Sequence, residues 1–322
     1  METLPESLPK KKLWYDDGNV ILVAGDQAFR IHRSILSQHS PVFHDMFTVP
    51  QPSLECVDGC PIVRLQDDPM HLEFLLNAIY DRSYVLFFSG AEELPQIAEL
   101  AVGILILAHK YDMQPLYEEA VYRITENYPS TFRDFRSMEH FMLDPFEAEQ
   151  HAGVVFIINA ARRLQTPELV KLLPVMFYLC CLLDGAALAI GIPRANGSTE
   201  SLSTGDLCRS ITAKTELLQA NAMVTQRIGP FTGNMAEDCK STDACMSALV
   251  LITRDALDSE IFAACDALTN LDPWITEKAE THGLCKRCAE TLLVRHRDAQ
   301  EMIWDSLVDI FKLKEDIRAT GL

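Results

Sequence analysis

Strand signals in this 322-residue chain are confined to its first 65 residues, and beyond them helical periodicity dominates. The run VILVA at 20–24 is apolar throughout and rich in β-branched side chains. Gly25-Asp26 follows as a two-residue turn, and Phe29 and Ile31 then alternate with Arg30 and His32. This pattern predicts a β-hairpin whose first strand is buried on both faces. PIVRL at 61–65 predicts a third strand. Two helix openings use one device, Ser40-Pro41 and Asp68-Pro69. The polar side chain caps the helix, and proline at the first helical position loses no N–H that the helix needs. Val42, Phe43, Met46 and Phe47 then share one helical face. Leu72, Leu75, Leu76, Ile79 and Tyr80 line the next helix at core-facing spacing. Residues 92–128 predict two more helices meeting near 111–115, with Pro129 closing the unit.

The fold class expected is therefore α+β: a small sheet covered by helices over 15–128, followed by an all-α domain over 129–322. Residues 1–14 are expected to be a disordered tail, its Lys10–Lys12 run solvated. In the second part, helical periodicity is expected over 154–190, 203–226, 241–264 and 285–313. Loops rich in Gly, Pro, Ser and Asn interrupt it at 191–202 and 229–235. The segment 131–149, with four phenylalanines and two arginines, reads as a connector, the alternative being a partner groove.

Charge and composition exclude several functions. Against 28 Lys plus Arg stand 46 Asp plus Glu, a net charge of −18, and such a surface repels phosphates. Direct nucleic-acid binding is not expected. The opening METLPESLPKKKLW has no apolar core, so no signal peptide is expected either. Residues 172–190 carry one charge, Asp184, and are long enough to span a bilayer. Pro174, Asp184 and Gly185 favour two buried helical pieces instead, and no membrane partner is expected. Ten cysteines without a secretory signal point to an intracellular, reducing compartment, cytoplasm or nucleus.

Cys239-x5-Cys245 and Cys285-x2-Cys288 form the strongest chemical constellation. Zinc takes four soft donors in a tetrahedron, and two close pairs joined across a loop can supply them. His282 and His296 are spare nitrogen donors nearby. Three readings stand: a structural zinc, ordinary core and surface thiols, or a redox pair, the last lacking a βαβ context. No other cofactor is expected. Cys180-Cys181 reads as core, and Cys56 and Cys60 as free thiols flanking a turn. There is no G-x-G-x-x-G, phosphate loop, G-x-S-x-G or H-E-x-x-H, and the nine histidines are scattered. The Glu92-Glu93 and Glu118-Glu119 pairs read as solvated helix faces. No enzyme is expected.

The string from Asp17 to Phe47 resembles the opening of a BTB/POZ domain. In that family a hairpin leads into a His-Lys/Arg-x-x-Leu helix and then Ser-x-x-Phe, here His32, Arg33, Leu36, Ser40 and Phe43. AHKYDMQPLYEEA at 108–120 resembles the family's helical hairpin, with Tyr111 before a short break. DGCPIVRL, FLLNAIYD and LPVMFYLCCLLD further resemble uncharacterised BTB proteins of mushroom-forming fungi. In those an all-helical region follows, tending to carry a Cys-x-x-Cys and a Trp-containing terminal helix, here Cys285, Cys288 and Trp304. The resemblance implies self-association and docking of protein partners, in some members a cullin ubiquitin-ligase scaffold. Many dimeric members carry an Asp before the first strand's valine, where this chain has Asn19. A homodimeric scaffold is expected, in a narrower form a cullin substrate adapter; the alternative is a transcriptional regulator acting through recruited partners.

Overall fold

The computed structural model describes residues 10–49, 55–81, 94–137, 151–226, 235–259, 261 and 264–321. The chain divides into two compact units, residues 1–127 with 193–198, and 128–192 with 199–322.

In the first unit, β2 (Val20–Ala24) and β3 (Gln27–Ile31) form the expected hairpin, with Ala24 opposite Gln27. Gly25, at φ +53°, gives the turn the backbone a side chain would disfavour. All five residues of β2 are buried, because β2 is the central strand. It pairs antiparallel with β3 and parallel with β5 (Cys60–Leu65). A second hairpin joins β4 (Cys56–Val57) to β5 across Asp58-Gly59, both at positive φ as a type I′ turn requires. The tail expected over 1–14 is corrected at its end: Lys10–Trp14 is a strand, β1, parallel to β3. The sheet order is β1-β3-β2-β5-β4, so β1 is an edge. Lysine is a frequent edge-strand residue because its charge discourages further pairing. That is why a charge run hid a strand.

Helices α1 (Arg33–His39), α2 (Pro41–Thr48), α3 (Pro69–Tyr80), α4 (Leu94–Lys110) and α5 (Gln114–Asn127) complete this unit. Both caps form as the sequence predicts. Ser40 accepts from the Phe43 N–H, and Asp68 accepts from the Met70 and His71 N–H groups. The break between α4 and α5 is a Schellman motif: Asp112 is left-handed (φ +52°), and the Met113 N–H reaches the Ala108 carbonyl at 2.8 Å. Gly103 lets α3 and α4 approach closely, since a Cβ there would stand 2.8 Å from the His71 ring.

The second unit contains α6 (Phe132–Ser137), α7 (Val154–Leu164), α8 (Pro167–Val170), α9 (Leu173–Leu182) and α10 (Gly185–Ile190). It continues with α11 (Thr204–Gln226), α12 (Thr242–Asp258), α13 (Asp272–Thr281), α14 (Lys286–Ile310) and α15 (Lys314–Ala319). The apolar stretch 172–190 is two helices, as expected. Leu183 ends α9, and the Asp184 carboxylate caps α10 by accepting from the Ala187 N–H. Among the described residues, no helix is long and apolar enough to cross a membrane. The all-α expectation needs one small correction, a ladder of two-residue strands, β6 (Ile192–Pro193) with β7 (Thr199–Glu200).

The described part of the connector packs within this unit: Phe135 lies against Trp304 (5.3 Å between centroids) and edge-on to Tyr178 (5.9 Å). Its remainder, 138–149, lies outside the described residues, as do Glu92-Glu93, most of the 229–235 loop and the Pro50–Pro52 segment.

Candidate functional site

The motif residues of the first unit hold the fold together locally. Asn19 Oδ1 accepts from the Arg33 N–H (2.8 Å), so the residue in the variable position caps α1. Arg33 donates to the Phe47 carbonyl and lies over the Phe47 ring, 5.1 Å from its centroid. The His32 backbone N–H donates to Tyr80 Oη (2.8 Å), and its Nε2 lies 3.2 Å from Asp17. Leu36 is fully buried. Ser40 also donates from Oγ to the Tyr111 carbonyl (2.5 Å), across 71 positions of sequence. Phe43 stacks on Tyr111 at 4.3 Å, and the Tyr111 hydroxyl donates to Asp67. Burial, with Asp67 beside it, pushes the Tyr111 phenol well above its ordinary value.

The four cysteines come together in the second unit. The sulfurs of Cys239, Cys245, Cys285 and Cys288 all lie within 4.8 Å of one another. Cys239 ends a turn, its N–H bonded to the Ala236 carbonyl, and Cys245 sits in the first turn of α12. The other pair is delivered by the end of α13. Gly283 is left-handed (φ +71°) and the Leu284 N–H bonds back to the Ala279 carbonyl, so the chain reverses within two residues. Cys285 is then the N-cap residue of α14, and Cys288 lies in its first turn. Around them pack Leu249, Ile252, Ile275, Leu284 and Leu292.

This geometry suits a tetrahedral metal. Four sulfurs about 2.3 Å from a central zinc stand about 3.8 Å apart; Cys239 and Cys285 Sγ are 3.9 Å apart. Two helix N-termini meet the cluster, and both favour thiolate over thiol. The Cys288 backbone N–H holds the Cys285 thiol below its ordinary value, though without the geometry of a full capping hydrogen bond. Burial raises Cys245 and pushes Cys288 up to about 12.

Neither spare histidine joins the set. His282 Nε2 is committed to Asp255 at 2.9 Å. His296 is buried, with neither ring nitrogen in a hydrogen bond of normal geometry. Burial lowers its imidazole to about 4; nearby Asp272 favours the charged form, while Arg136 and Arg297 oppose it. An unfolded histidine titrates near 6.5, so as pH falls the unfolded chain takes up the proton first. This contribution to stability is full above about pH 6.5 and is lost between there and about pH 4. Denaturant unfolding should show wild type losing about 2–3 kcal/mol more than His296→Leu between pH 7 and 4.5; equal losses would refute the assignment.

Of the remaining thiols, Cys180 and Cys181 are buried core, burial pushing Cys180 up to about 12. Cys60 is buried, donating to the Gly18 carbonyl at 3.1 Å, and Cys56 is exposed; neither is in a disulfide. The sequence missed α13, though Asp272-Pro273 repeats the opening seen at Ser40-Pro41 and Asp68-Pro69. It also missed Arg194, which has no local signal.

The family model of the BTB/POZ domain matches residues 11–128, a span that begins within β1 and ends just after α5. No curated protein and no solved structure matches the chain.

Proposed function

Starting from the BTB/POZ domain that residues 11–128 form, we propose that this chain is an intracellular scaffold. It pairs with a second copy of itself through that domain and docks other proteins on its helical region. The carrying observation is the family match itself, since BTB/POZ domains are protein-interaction modules. The placement of the motif residues agrees with it. Leu36, Ser40, Phe43 and Tyr111 are spent on the interior, which leaves the outer helix faces for partners.

The narrower reading is a substrate adapter for a cullin ubiquitin ligase. Its test is co-purification of a cullin with the full chain. The alternative, a transcriptional role, would run through recruited proteins, because a net charge of −18 opposes direct contact with DNA. Asn19 is used within its own chain as a helix cap, so the proposed dimerisation rests on the family and not on that residue. Native mass spectrometry of the full chain at micromolar concentration is expected to show a dimer. A monomer across that range would remove self-association from the reading.

The four-cysteine cluster belongs to the same proposal, as the seat of one structural zinc ion. Four thiolates close the coordination sphere and leave no position for a reacting water, so the ion braces helices. Zinc would also reverse the effect of burial on Cys245 and Cys288, since a coordinating thiol gives up its proton.

A further inference from the structure

Residues 193–198 belong to the first compact unit, although 65 residues of the other unit, 128–192, separate them from the rest of it. They form a tight turn. The Gly197 N–H donates to the Arg194 carbonyl (2.9 Å) and the Arg194 N–H to the Ser198 carbonyl (2.8 Å). Gly197 adopts φ +81°, and Asn196 Oδ1 accepts from the Ser198 N–H.

The turn carries Arg194 into an acidic pocket between the start of α3 and the first half of α4. Arg194 Nε donates to Glu99 Oε1 at 3.0 Å and Nη1 to Asp68 Oδ2 at 2.8 Å. Nη2 lies 2.9 Å from His71 Nε2. A guanidinium only donates, so in this contact the ring nitrogen is the acceptor. The backbone joins in, the Ala195 N–H reaching Glu99 Oε2 at 3.2 Å. All three guanidinium nitrogens are used, and both Glu99 oxygens are held by residues 194 and 195. The side chains of Arg194 and Glu99 are only 9% and 5% exposed.

Burial on this scale separates the pocket from a surface ion pair. An exposed pair contributes little, whereas a carboxylate left buried without its cation is strongly unfavourable. Glu99 stands among Ala98, Leu100 and Ala101, all buried, on a helix that would pack more simply with an apolar residue there. Its acid is useful only with a cation in front of it. The pocket residues lie within 68–99, and the cation arrives on a separate six-residue turn through one side chain and one N–H. That is how a peptide ligand binds: a planar fork read by two carboxylates, with one main-chain contact fixing its direction.

We propose that Asp68, His71 and Glu99 form a recognition pocket for an arginine carried on a tight turn. Residues 193–198 are its resident ligand, a segment of this chain that docks there through its arginine fork and one backbone N–H. The proposal depends on neither dimerisation nor zinc.

The test uses the full chain and hydrogen exchange. Arg194→Ala is expected to speed amide exchange in the first turn of α3 and in α4 by about tenfold or more. A peptide of residues 192–199, IPRANGST, should bind this variant and restore protection, while the same peptide with alanine for arginine should not. If Arg194→Ala does not fold, Arg194→Lys serves. It keeps a charge but loses the fork, so protection should be partial and the arginine peptide should raise it to the wild-type level. Unchanged exchange in the variant, or equal binding of the two peptides, would overturn the proposal.

Discussion

Full-length protein prepared without chelator is expected to carry one zinc ion per chain, and Cys288→Ala is expected to lose it. With the metal should go the order of α13, the start of α12 and the start of α14, which share a core with the four sulfurs. The size of the effect follows from scale. Structural zinc sites in small domains contribute about 10–16 kcal/mol of apparent binding free energy, as much as a whole domain's net stability. From α13 the core around the cluster takes Ile275 and Ala279, with Trp274 packed against it, so this short helix shares its apolar contacts with the four sulfurs. If the thiols were ordinary core atoms, Cys288→Ala would remove one sulfur from a packed site and cost about 1–2 kcal/mol. Metal analysis by mass spectrometry, with circular dichroism before and after chelation, separates the cases. Less than about a tenth of an equivalent of zinc, with unchanged helicity in Cys288→Ala, would end the metal reading.

The first unit was legible because its signals are local. VILVA, the Gly25-Asp26 turn and the two proline-opened helices each state their structure within a few residues, and each forms as read. The strand at Lys10–Trp14 was not legible, since a charge run masks an edge strand that owes its place to pairing with β3. Helix α13 failed for a related reason. Only Ile275 and Ala279 of its ten residues are buried, too few for a periodic stripe. The cysteine pairs were visible as candidates but undecided, because a five-residue spacer is longer than the two to four usual between zinc ligands. Cys239 lies in a turn ahead of α12, so the spacer includes the bend into the helix and the objection falls away. His282 and His296 show the converse, two histidines close in sequence to the ligands, one bonded to Asp255 and the other buried away from the sulfurs. The Arg194 pocket joins side chains about a hundred positions apart, and no window of sequence contains it.

Phe43→Ala is expected to destabilise the BTB/POZ domain by about 3–5 kcal/mol, enough to unfold a domain of ordinary stability. Phe43 is 0% exposed and stacks on Tyr111, while its own N–H is the one that Ser40 caps. The same serine bonds the Tyr111 carbonyl, so Ser40, Phe43 and Tyr111 tie the start of α2 to the break between α4 and α5. Truncating the ring removes the stacking partner and leaves a cavity beneath a hydroxyl that still needs both its hydrogen bonds. Phe43→Leu keeps most of the volume and should cost markedly less. Thermal unfolding of the two variants checks the order. If Phe43→Ala melts within a few degrees of wild type, the ring is not part of the core, and the motif residues become free to meet a partner. If the expected order holds, the motif residues build the interior of the domain, while Val42 on α2 and Tyr122 on α5 stay at its surface.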